Sequence, residues 1–210
     1  MKLLSLTVFF ALVFSACNNY GLLESLQNPG AISNTPPPVK RIFVTTTLSN
    51  GNMSNFSCNG VGIQNANCLC QQTAQQYGFG GTYIAFLSDD LADMSCRLFS
   101  VASSACSMTS DAVWYNTKNE IVASGTSELF SIAHTAAIYD ERGDAPMGAV
   151  WTGTTATGAL ASSHCNRWTS NSSGVQGQTG TPSATTGDWT EGGAAACNTN
   201  QSFYCIAVVE

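Results

Sequence analysis

Cysteine content constrains the fold of this chain more than any other feature of its sequence. The chain has nine cysteines, and the first of them, Cys17, stands apart near the N-terminus. An even set of cysteines in an exported chain is typical of a disulfide framework. The other eight are therefore expected to form disulfides: Cys58, Cys68, Cys70, Cys96, Cys106, Cys165, Cys197 and Cys205.

Zinc binding is the alternative use of these thiols. Cys68 and Cys70 could supply two thiolates, but the two histidines, His134 and His164, form no ligand pair at a zinc-like spacing. We therefore expect neither a metal site nor a cofactor.

The N-terminus has the layout of a secretory signal peptide. Lys2 precedes the apolar block 3–14, and Ser15 and Ala16 supply small residues before Cys17. The block is too short to span a bilayer comfortably. Residues 1–16 are thus predicted to be a signal that directs export.

Cys17 indicates a lipid anchor. A cysteine directly after Phe14-Ser15-Ala16 is similar to a bacterial lipobox, in which the thiol takes a diacylglycerol and the new amino terminus is acylated. Several acyl chains hold a protein stably on a membrane, whereas one chain alone binds only marginally. Simple secretion, with Cys17 incidental, is the alternative.

Residues 17–39 are expected to form a lipidated, flexible tether, and residues 40–210 a single domain. The tether contains Asn28-Pro29-Gly30 and the run Pro36-Pro37-Pro38, a composition that favours an extended chain over a core. Such a segment would lift the domain off the membrane.

The low charge of the chain excludes some classes of partner. Charged residues make up 10% of the sequence, and seven lysines and arginines leave a net charge of −6. A polyanion such as nucleic acid or heparin therefore finds no basic surface to bind.

Residue patterns predict a mixture of short strands and helices. A β-branched and aromatic run predicts a strand over residues 41–47, and a similar apolar run predicts a strand over 82–87. The C-terminal run 202–209 is apolar enough for a central strand. A helix through residues 70–77 is expected, capped by Asn65 or Asn67.

A second helix is expected after Ser88 and Asp89, which are suited to cap it. Leu91, Met94 and Leu98 follow at helical spacing.

Several short motifs, taken in order, resemble the endostatin domain of collagen XVIII. The motifs are Cys70-Gln-Gln, Gly81-Thr-Tyr-Ile-Ala-Phe-Leu-Ser88, Val150-Trp-Thr-Gly153, Cys165-Asn-Arg-Trp168, Gly177-Gln178, Ala195-Ala-Cys197 and Tyr204-Cys-Ile206. Together with the lipobox, they make the chain similar to the leptospiral endostatin-like outer-membrane lipoproteins. The similarity covers residues 40–209.

This resemblance implies an α+β fold of the C-type-lectin-like kind, loop-rich and stapled by disulfides. It pairs Cys70 with Cys205, and Cys165 with Cys197. Closing long loops in this way stabilises a loop-rich domain. Proximity in sequence alone suggests that Cys58 pairs with Cys68 and Cys96 with Cys106.

The resemblance also implies a function without catalysis. Such a protein would sit in the outer membrane at the cell surface and bind laminin, fibronectin, complement factor H or plasminogen. We do not expect this chain to share the heparin binding of endostatin, because it has few arginines. The N-terminal zinc-binding histidines of endostatin and the calcium-dependent sugar triplets of true lectins are also missing.

Three other functions remain open from the sequence. A glycan-binding module could use Trp151, Trp168 or Trp189 as stacking platforms, although burial in a core is the simpler interpretation. A hydrolase is a remote alternative, because His134 and His164 are the only candidate bases.

The third is integrin binding through Arg142-Gly143-Asp144, for which a plain exposed turn is the simpler interpretation.

Overall fold

The computed structural model describes residues 38–131 and 134–210. The predicted signal, Cys17 and the tether up to residue 37 lie outside the described residues, so lipidation stays a prediction. Within the described part of the chain, no helix is long and apolar enough to cross a membrane.

A six-stranded sheet built around the C-terminal strand organises the domain. Its strands are β1 (Ile42–Val44), β2 (Tyr83–Ala85), β5 (Val150–Trp151), β6 (Gln176–Gly180), β7 (Gly193–Ala196) and β8 (Ser202–Ala207). They lie in the order β1-β8-β5-β6-β7, and β2 also pairs with β8. A separate hairpin joins β3 (Val113–Tyr115) to β4 (Ile121–Ser124).

Strand β8 is the centre of the sheet, and the predicted C-terminal strand is confirmed. All six of its residues are buried. It runs antiparallel to β1 and β2 and parallel to β5, where Trp151 is in register with Phe203. Phe203 and Cys205 contribute to one core cluster, and Tyr204 and Ile206 to the other. This alternation is what a strand buried on both faces requires.

The principal helix, α1 (Ile63–Gln76), begins earlier than predicted. Gly62 precedes it, and Asn65 is buried in its first turns instead of capping it. The Asn65 side chain donates to the carbonyls of Met53 and Phe56, both at 2.8 Å, and so fixes the preceding loop. Asn65 thus forms tertiary hydrogen bonds to the loop, although its local helix propensity favours an N-cap.

The described residues also form three right-handed α-helices of four residues each, α2 (Met94–Arg97), α3 (Thr126–Leu129) and α4 (Asp188–Glu191), and a 3-10 helix at Met53–Asn55. The prediction that a helix starts directly behind Asp89 is wrong. The Asp89 carboxylate accepts from the backbone N–H of Leu91 and Ala92, which closes a separate tight turn before α2.

Four disulfides staple the domain, in the pairs that the sequence led us to expect. They are Cys58–Cys68, Cys70–Cys205, Cys96–Cys106 and Cys165–Cys197. Cys70–Cys205 ties α1 to β8 with a Cα–Cα distance of 5.3 Å. Short helices, small sheets and these bridges confirm the predicted disulfide-stapled α+β fold.

Candidate functional site

The three candidate sugar-stacking tryptophans are buried in the core. Trp151, Trp168 and Trp189 each have 0% exposure. The Trp151 indole donates to the carbonyl of Ser49 at 2.8 Å, and the Trp168 indole to the carbonyl of Ser88 at 2.9 Å. A sugar cannot stack on a ring face without access to it. The assignment of these residues as stacking platforms is therefore wrong.

Arg142, Gly143 and Asp144 form an exposed turn, with side-chain exposures of 54% for Arg142 and 74% for Asp144. Buried Asp140 organises this turn by accepting from the backbone N–H of Arg142 and of Asp144. The Arg142 guanidinium lies 3.1 Å from the Asp140 carboxylate and 3.9 Å from that of Asp144. A partner would have to break these ion pairs before it could bind both ends of the motif.

The two histidines serve the fold in different ways. Buried His134 lies 4.2 Å, centroid to centroid, from Trp189, and its Nε2 lies 3.2 Å from the carbonyl oxygen of Leu129. Burial lowers the pKa of His134. His164 Nδ1 accepts from the backbone N–H of Arg167 at 2.9 Å. Among the described residues, no group of three or more His, Cys, Asp or Glu side chains could hold a metal ion.

The structure contains a groove that the sequence did not reveal. It has a volume of about 650 Å³ and lies between the first turns of α1, the 89–92 turn, α2 and residues 166–169. This volume falls within the range of about 300–1,000 Å³ that is usual for small-molecule pockets. We call it the α1 groove.

One wall of the α1 groove has an unusual backbone. Cys165, Asn166, Arg167 and Trp168 all have positive φ, between 49° and 61°. Such a left-handed turn costs roughly 1–2 kcal/mol per residue for amino acids other than glycine. The Cys165–Cys197 disulfide and the buried Trp168 indole hold this turn in place. Strained backbone that the surroundings enforce is frequent at binding sites.

Apolar side chains are exposed around the α1 groove. Val61 is 64% exposed, Leu91 58% and Val101 37%. They come from three separate loops, so no periodic pattern in the sequence marks them as one surface. The groove thus exposes apolar area next to a rigid turn.

Arg97 lines the α1 groove and forms hydrogen bonds to residues of three neighbouring positions in the fold. Its Nη1 donates to the carbonyls of Ala85 and Leu87, and its Nη2 donates to the side-chain oxygen of Asn67 at 2.7 Å. Desolvation lowers the pKa of Arg97 to about 10, opposed by the nearby Asp89, so the guanidinium remains charged at neutral pH. None of the described carboxylates lies within 4.0 Å of it.

A comparison with known protein families gives a match to this domain. The family model described as Collagenase NC10 and Endostatin matches residues 50–209. The match includes all eight bridged cysteines, the left-handed turn and every residue that lines the α1 groove.

Proposed function

The chain belongs to the endostatin family, and from this premise we propose that it is a lipid-anchored surface protein that binds host proteins. Family membership supports a non-enzymatic domain of the extracellular type. The partners we propose are laminin, fibronectin, complement factor H or plasminogen. An anchor and a tether keep the domain at a membrane surface, which suits a receptor better than an enzyme that diffuses.

The observation that carries this proposal is the preformed α1 groove. Its wall at Cys165 is fixed by the disulfide to Cys197, and its apolar side chains at Leu91 and Val101 are exposed. Exposed apolar surface in a rigid concave site favours protein recognition, because burial supplies free energy and rigidity lowers the ordering cost.

Sparse charge sets the expected character of binding. With a net charge of −6 and few basic residues, the domain lacks the positive field that steers polyanionic partners. Binding should therefore depend on local apolar and amide contacts and be only moderately sensitive to salt.

A capture assay tests the proposal. The full chain, purified in detergent and immobilised, should bind at least one of laminin, fibronectin, factor H and plasminogen saturably. An unrelated lipoprotein prepared in the same way is the control. Reduction of the four disulfides should abolish capture, because it releases the groove walls. Capture of none of the four above the control would refute host-protein binding.

Membrane attachment is tested separately. Radiolabelled palmitate should enter the wild-type chain in its host cell and be lost in Cys17→Ser. Protease added to intact cells should remove the domain if it faces outward. Equal label in both chains would refute the anchor, and full protection from protease would refute surface exposure.

A further inference from the structure

The α1 groove contains two arginines although the chain as a whole is acidic. Its lining contains two arginines, Arg97 and Arg167, and one carboxylate, Asp89, and the Asp90 carboxylate pairs with Arg167 at the rim, so the formal charges balance. The whole chain has a net charge of −6 with only seven lysines and arginines. Two of those seven basic residues therefore line one concave, partly apolar site.

Arg97 supplies a guanidinium with unused donors. An arginine has five N–H donors. Two carbonyl oxygens and the oxygen of Asn67 take three of them, Nη1 also lies 3.9 Å from the Met94 sulfur, and all of these acceptors are neutral. Among the described residues, Nε–H and one Nη2 hydrogen are left for another acceptor. A carboxylate or other anion is the strongest acceptor for such donors.

Arg167 stands at the rim of the same groove. Its Nε lies 3.0 Å from the Asp90 carboxylate, and the two side chains are 46% and 54% exposed. Ion pairs this exposed contribute only about 0–1 kcal/mol. A ligand carboxylate can therefore replace Asp90 at little cost. The backbone of Arg167 belongs to the left-handed turn, and its N–H donates to His164 Nδ1, which helps to fix its position.

Two acidic groups, Asp89 in the lining and Asp90 at the rim, already have partners within the domain. Asp89 is 8% exposed, and one oxygen of its carboxylate accepts from the N–H groups of Leu91 and Ala92. The Asp90 carboxylate is the ion-pair partner of Arg167. No described carboxylate lies within 4.0 Å of the Arg97 guanidinium, which therefore favours an acidic ligand over a basic one.

We propose that the α1 groove binds an extended protein segment in which apolar side chains flank one carboxylate. Arg97 and Arg167 hold the carboxylate, and Val61, Leu91 and Val101 pack against the apolar neighbours. Arginine suits this role because its planar guanidinium can donate two parallel hydrogen bonds to one carboxylate. The inference deepens the proposed function, on which it rests, by naming the chemistry of the host segment.

Three matched peptide pools test the proposal on the full chain in detergent. Each pool contains peptides of about eight residues with blocked termini and random Leu, Ile, Val, Phe, Ser and Thr. The central residue is Glu in the first pool, Gln in the second and Lys in the third. Binding is followed by fluorescence anisotropy of an uncharged label. The Glu pool should bind about tenfold more tightly than the Gln pool, because charged hydrogen bonds are the stronger ones. The Lys pool should bind least.

Two variants locate the binding site, each with a matched control elsewhere on the surface. Arg167→Gln should reduce the preference for Glu over Gln, and Arg142→Gln should leave it unchanged. Leu91→Ser should weaken binding of both pools, whereas Leu48→Ser should not. Leu91 and Leu48 are equally exposed, at 58%, and Leu48 does not line the groove. Circular dichroism confirms that each variant is folded.

Each outcome separates this inference from the general proposal. Equal binding of the Glu and Gln pools, or a preference for Lys, overturns carboxylate recognition. Loss of binding in the controls but not in the groove variants overturns the location. If host proteins are captured but no pool binds or competes, host binding stands and the groove chemistry fails. If the Glu pool binds and no host protein is captured, the groove is a peptide site and the proposed partners are wrong. Competition by heparin instead of by the Glu pool would identify a sulfated glycan as the occupant and overturn the inference.

Discussion

Removing the four disulfides one at a time should destabilise the domain in the order of the loops that they close. Cys70–Cys205 spans 135 residues, Cys165–Cys197 spans 32, and each of the other two spans 10. Loop-closure entropy then gives losses of about 5, about 3.7 and about 2.7 kcal/mol. Natural domains have total stabilities of about 5–15 kcal/mol, so loss of the longest bridge removes a large part.

The assay is urea unfolding of the full chain, followed by circular dichroism, with both cysteines of one bridge replaced by alanine. The two short bridges are a matched pair, because their loops are equal in length, but Cys96 is fully buried and Cys58 is not. If removing Cys96–Cys106 lowers the free energy of unfolding more than removing Cys58–Cys68 does, the difference therefore measures the contribution of burial. A loss for Cys58–Cys68 as large as that for Cys70–Cys205 would refute the loop-closure reasoning.

Three further predictions follow from the burial, packing and charge of the domain. Burial lowers the pKa of His134 in the folded protein below 6.5. The free energy of unfolding therefore keeps its full value above about pH 6.5 and decreases as the pH falls below it. His134→Gln should flatten this decline between pH 7.5 and 5; an equal decline in both proteins would contradict it. A methyl group at Gly180 would overlap the Trp189 carbonyl, so Gly180→Ala should cost about 1–3 kcal/mol in thermal or urea unfolding. Gly174→Ala, whose added methyl meets only ordinary contact, is the control, and an equal cost at both positions would count against the packing. The domain should elute from a heparin column below physiological salt, and tight retention there would reveal a basic cluster.

The sequence predicts those parts of the fold that depend on local pattern or on family motifs. The C-terminal strand is predictable because its residues are apolar and its neighbours are not. The bridges at Cys70 and Cys165 are predictable because the endostatin-like motifs place their partners. The start of α1 is not, because Asn65 serves the loop before it and not a cap.

The α1 groove could not be predicted for two physical reasons. Its lining comes from several segments that only the tertiary fold brings together. Its left-handed wall contains no glycine, so local propensity favours right-handed backbone at residues 165–168. The motif Cys165-Asn-Arg-Trp168 was the one available signal, and it marks the family but does not indicate the turn.

Capture of host protein by two single variants tests most directly whether the α1 groove is the binding site. Wild type, Leu91→Ser and Leu48→Ser are immobilised as full chains at equal density. Each is exposed to whichever of laminin, fibronectin, factor H or plasminogen the wild type binds. Leu91→Ser should lose most of the captured protein and Leu48→Ser should match the wild type, since only the first removes apolar surface from the groove. Equal capture by both variants would contradict binding through the groove.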